Sequence, residues 1–139
     1  MTVLLAHHLG VLHETLRTLA GTFREIADRH GDEPDVKHTC ALLARRIDGQ
    51  AELLRPVVDR YGESDPDDPD LLRDLQDLYA LASFTDIVWT VVGQAAQGLR
   101  DEELIDVVSS CEQDTARQLA WLKTRIKQSA PQALIAARG

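Results

Sequence analysis

Two carboxylates, Asp86 and Glu112, stand on rows that are otherwise apolar or small, so chemistry is sought there first. Asp86 repeats at helical spacing with Leu72, Tyr79 and Gly93, and Glu112 with Ile105, Leu119 and Ile126. A carboxylate pair inside a helical protein can hold a divalent metal, share a proton or pair with a cation. Arg46 is the cation at the matching height, and Thr115 follows Glu112 by one turn as a further polar partner. Buried charges normally find partners, which makes an arginine–carboxylate cluster the more economical reading and a metal site the alternative.

The histidines add little to this pair. His7 and His8 are adjacent and face different ways, with His7 expected to project to solvent. His30 suits the C-terminal dipole of its helix, and His38 falls on an outer face. Together with Asp32, Glu33 and Asp35 those two could pick up zinc or nickel only adventitiously. His13 lies on the row of Ala6, Ala20 and Ala27, at the height of Tyr79 and Trp121. With Trp89 these residues could form the wall of a small-molecule pocket, although a hydrogen-bonded histidine at the edge of the core is the simpler reading of His13. Cys40 and Cys111 take core positions on diagonal helices and are read as two inert thiols. No nucleophile–His–carboxylate set, glycine-rich phosphate loop or Cys-x-x-Cys is present.

Helices must position all of these groups. Four segments carry apolar residues three and four apart, the mark of amphipathic helices. They predict helices over about 3–30, 35–61, 69–98 and 102–128. Thr2, Asp68-Pro69 and Asp101 are expected at helix starts, and Gly31, Gly62 and Gly98 at ends. Pro56 should kink the second helix or end it early, and Pro131 should stop the fourth. Short connections between long helices predict an all-α, antiparallel up-down-up-down four-helix bundle: one domain over 1–130, with a loosely held tail at 131–139. Whether Asp86 and Glu112 meet depends on the hand of that bundle.

An acidic four-helix chain with inward carboxylates resembles the ferritin-like superfamily. The resemblance implies the bundle architecture and, in that family, a di-metal site built from two Glu and two Glu-x-x-His motifs. Here Glu112-Gln113-Asp114-Thr115 has Thr in place of His, and Asp35-Val36-Lys37-His38 falls about two turns from the layer. Ala20 and Phe23 stand where the first helix would contribute a carboxylate. The fold carries over and the ferroxidase chemistry does not.

The third helix holds the strongest interaction signal. From Leu78 to Gly93 it is apolar on nearly every side, and besides its core face it carries Ala80, Phe84, Ile87 and Val91, with Val88 beside them. A bundle helix needs one buried stripe, so a second must meet another copy, a partner helix or an apolar ligand. A homodimer covers such a stripe most simply.

Composition sets the outer limits. The 139 residues are 44% hydrophobic and 27% charged, a globular balance with no run long enough to span a membrane. A net charge of −8 argues against nucleic acid as partner. Five basic residues in 115–139 face eight acids in 59–77 at the same end of the expected bundle, where mutual neutralisation is the simplest account. Two cysteines and no signal-like start suggest the cytoplasm. The expectation is a non-catalytic bundle acting through self-association or a helical partner. A ferritin-like metal or cofactor binder centred on Asp86 and Glu112 is the alternative.

Overall fold

The computed structural model describes residues 3–64 and 71–136, and every element in them is helical: α1 (Val3–Arg29), α2 (Pro34–Tyr61), α3 (Leu71–Leu99), α4 (Glu102–Pro131) and a π-helical turn, α5 (Gln132–Ala136). The expected starts at Thr2 and at Asp68-Pro69, and most of the acidic segment before α3, lie outside the described residues. The helices form two units, α1 with α2 and α3 with α4.

In the first unit the strands of contact run in opposite directions. His7 near the start of α1 meets Ser64 just after α2, whereas Arg24 late in α1 pairs with Asp48 in the middle of α2. The seam between them is made of small residues. Ala6, Ala20 and Ala27 share a seven-residue row on α1 with the half-buried His13 and are buried, as are Ala44 and Ala51 on α2, with Ile47 between them. A side chain no larger than methyl lets two helix backbones approach closely, and the seven-residue period keeps that line facing the partner. Leu16 and Phe23 then close over Ala20, Ala44 and Ile47 from the side. The Arg24 guanidinium, hydrogen-bonded to Asp48, holds that carboxyl below the usual carboxylate range. Both partners are exposed, so water screens the pair.

Pro56 does not end α2, which continues to Tyr61. Pro56 and Glu52, whose carbonyl loses its helical donor there, are both exposed, so water can take the missing place. Gly62 then stops the helix with φ 81°, and its N–H bonds the Val58 carbonyl.

The second unit is also antiparallel. Gly93 on α3 abuts Val108 on α4, while Leu78 and Ala82 share a groove with Trp121 and Leu122. Leu72, Leu75 and Ala96 on α3, and Val108, Thr115 and Leu122 on α4, form its buried line. The turn between the helices differs from expectation. Gly98 was the predicted stop, but α3 runs on to Leu99 and the left-handed position falls to Arg100, with φ 53°. The Arg100 N–H bonds the Gln97 carbonyl at 3.1 Å and the Asp101 N–H bonds the Ala96 carbonyl at 3.1 Å. These are the two bonds of a helix-terminating motif that ordinarily uses glycine at the left-handed residue. Asp101 then caps α4, its carboxylate accepting from the Leu104 N–H at 3.1 Å. The fourth helix also outruns its expected end near 128: Pro131 sits in its last turn, and α5 prolongs the chain to Ala136.

Adjacent positions in α1 test the small-residue seam with opposite signs. Ala20 is 1% exposed, and Ala20→Leu should destabilise the protein by about 1–3 kcal/mol because the seam has no room for it. At Gly21 a Cβ meets nothing within 4 Å, so Gly21→Ala should stabilise by about 0.5–1 kcal/mol through helix propensity alone. Thermal unfolding followed by circular dichroism reads both.

Candidate interaction face and carboxylate seam

The third helix has two faces of interest, and α4 separates them. On the side toward α4 runs the row Leu72, Tyr79, Asp86 and Gly93. Leu72 is buried, and Tyr79, Asp86 and Gly93 are half-buried. The facing row on α4 is Val108, Thr115 and Leu122, all buried. Gly93 lies against Val108, and counting one heptad along each antiparallel helix sets Asp86 opposite Thr115. Glu112 leans over Gly93: a Cβ built there would sit 3.7 Å from the Glu112 Oε1 and 3.2 Å from the Val108 Cγ1. Both groups therefore lie along one seam, the Glu112 carboxylate at the level of Gly93, two helical turns or about 10 Å from Asp86.

What this seam offers chemically is limited. Among the described residues neither carboxylate has a hydrogen-bond or ion-pair partner, and no three His, Cys, Asp or Glu side chains converge as a metal would require. Thr115 is 3% exposed, and its hydroxyl donates to the Cys111 carbonyl of its own helix at 3.0 Å. Arg46 is exposed on α2. Cys40 and Cys111 are free and half-buried.

The residues suggested as pocket walls separate. His13 lines an open cleft between α1 and α2 with His7, Glu14, Arg17, Arg55 and Asp59. Its floor includes Gly10. His7, expected to face solvent, is half-buried there and donates from Nδ1 to the Ser64 carbonyl at 3.1 Å, tying the start of α1 to the chain after α2. His8 instead donates from Nδ1 to the Leu4 carbonyl at 2.8 Å, within its own helix. Trp121 lines an apolar groove of about 370 Å³ between α3 and α4, with Leu78, Leu81, Ala82, Thr85, Gln118 and Leu122. Tyr79 and Trp89 are half-buried on α3.

On the side of α3 away from α4 the surface is apolar and open. Phe84 is 64% exposed, Ile87 56% and Val91 65%, and Ala80 and Val88 are exposed beside them. Leu81, which sequence reasoning did not assign to this stripe, is 64% exposed and extends it toward the Trp121 groove. The signal that could have found it is the three-four spacing Leu81, Phe84, Val88, Val91, Ala95, which describes the outer face more closely than the four-residue ladder from Ala80. Thr85 and Thr90 bond back to the carbonyls of Leu81 and Asp86, so their hydroxyls are occupied within the helix.

No helix among the described residues is long and apolar enough to cross a membrane. No protein-family model, curated protein or solved structure matches the chain.

The close contact at Gly93 generates a direct test. Gly93→Leu should destabilise by about 1–3 kcal/mol, because its side chain must displace Val108 and Glu112 together. If the thermal midpoint of that variant stays at the wild-type value, the seam described here is wrong.

Proposed function

We propose that this protein is a non-catalytic helical protein that works by associating with itself through the outer face of α3. The observation that carries this reading is the exposed apolar stripe from Leu81 to Val91, which faces away from α4 except at Leu81, at the rim of the Trp121 groove. A helix that has buried one stripe has no need of a second, and water is a poor environment for five large apolar side chains in one line. The expected outcome is a dimer by sedimentation equilibrium. Phe84→Lys with Ile87→Lys should weaken it at least 100-fold while leaving the helical circular dichroism intact. A wild-type protein that stays monomeric at hundreds of micromolar, or a double variant that still dimerises, overturns the proposal.

The second reading is a ferritin-like metal- or cofactor-binding protein centred on Asp86 and Glu112. Two half-buried carboxylates on one seam, without partners among the described residues, favour it. Two carboxylates alone leave most of a divalent ion's coordination to water or to other groups. Its expected signature is a stoichiometric metal, found by mass spectrometry after exposure to iron, manganese and zinc, and lost in Glu112→Ala. Retention of no metal by the wild-type protein under all three conditions rejects it.

A further inference from the structure

One flank of the α1–α2 unit repeats the same facing positions at heptad steps, and the middle pair cannot satisfy itself. Arg24 of α1 bonds Asp48 of α2 across the seam, and His7 of α1 bonds the Ser64 carbonyl after α2. Together these contacts fix an antiparallel register in which each step back along α1 is matched by a step forward along α2. A heptad from Arg24 and Asp48, on the same face, that register sets Arg17 level with Arg55, and a second heptad on it sets Gly10 level with Gly62. The first pair puts a carboxylate opposite a guanidinium, the second puts two guanidiniums there, and the third has no side chain on either side. Arg17, Arg55, Gly10 and Gly62 all line one open cleft of about 860 Å³, and a Cβ at either glycine would meet nothing within 4 Å.

The fold leaves both arginines short of partners. Arg17 approaches Glu14 at 3.8 Å and Arg55 approaches Glu52 at 3.9 Å, each within its own helix and beyond hydrogen-bond range. Among the described residues no carboxylate of the facing helix bonds either one. Two like charges at one level on neighbouring helices repel, and an oxyanion between them would take the place that Asp48 holds beside Arg24.

The carboxylates of the cleft lie further along, toward its glycine end. Glu14 and Asp59 are about one turn from the arginines, with Asp59 level with the half-buried His13, and Glu63 is about a turn beyond. The cleft therefore has a cationic end and an anionic end about 6 Å apart along the helices. A simple anion would meet the carboxylates and a simple amine the guanidiniums, whereas a ligand carrying both charges meets each group with its opposite. In an α-amino acid the two charges sit on neighbouring carbons, too close to span a helical turn. We propose that the α1–α2 cleft binds a small ω-amino acid, its carboxylate between Arg17 and Arg55 and its ammonium against Asp59 and Glu14. The site lies wholly within the α1–α2 unit and does not depend on self-association through α3.

Titration of the full chain with δ-aminovalerate, valerate and pentylamine, followed by amide chemical shifts, tests the site. The expected Kd for δ-aminovalerate is about 1 mM or below, and valerate and pentylamine should bind at least about 10-fold more weakly, each lacking one charge-assisted contact. Arg17→Gln and Arg55→Gln should each weaken δ-aminovalerate about 10-fold. Arg24→Gln, which breaks the cross-helix pair outside the cleft, should leave it unchanged. Asp59→Asn should weaken δ-aminovalerate and strengthen valerate, a reversal that a general loss of structure cannot produce. All four positions are exposed, so the helices should survive each change. Valerate binding as tightly as δ-aminovalerate, arginine variants that bind like the wild type, or no saturation by δ-aminovalerate at tens of millimolar overturns the proposal.

Discussion

Two helices packed side by side can bury only one line of residues each, and that geometric limit shapes this protein. In the α1–α2 unit the line is filled largely by alanine, with Ala44 fully buried and Ala20 nearly so. In the α3–α4 unit it is filled by Leu72, Leu75 and Ala96 against Val108, Thr115 and Leu122. Small residues bring the backbones close and gain contact along the whole helix length, but they remove little apolar area from water per residue. The larger side chains consequently sit beside the seams, where one flank is covered and the other is open. Leu53 on α2 and Leu99 on α3 are the extreme cases, and Phe84, Leu81, Val91 and Trp121 are also well exposed.

The two faces of α3 put this limit to different uses. Its inner row includes Asp86 and Gly93, residues that contribute little apolar burial, and the Gly93 notch is flanked by Val108 and the carboxylate of Glu112. Its outer row is uniformly apolar over two heptads, and of that row only Leu81 lines the groove shared with α4. A helix designed only for its pairing with α4 would show the reverse distribution, hydrophobic within and polar without. The inversion leaves the inner carboxylates as a polar interruption of a packing seam and the outer row exposed.

The α3–α4 turn fits this division. Arg100 stands at a position of this turn where the backbone favours glycine, two residues after a glycine that the chain uses inside the helix instead. The two turn hydrogen bonds and the Asp101 cap hold the conformation against the cost of a side chain at positive φ.

The sequence alone determined the elements. The three-four spacing of leucine, valine and alanine located four helices to within a few residues, because that period is a property of one helix and needs no partner. Asp101 and Gly62 were legible for the same reason, being local solutions to unsatisfied backbone groups. α4 ends at Pro131 as expected, whereas α3 runs one residue past Gly98 and Pro56 does not end α2. At Pro56 the lost donor falls on an exposed side that water can serve. Which row of α3 faces α4 was beyond the sequence, since an all-apolar helix offers several equivalent stripes and only the contact of Gly93 with Val108 chooses among them. That choice places Asp86 and Glu112 on one seam and exposes Leu81 with Phe84 and Val91, a consequence of packing two chain segments that lie far apart in sequence.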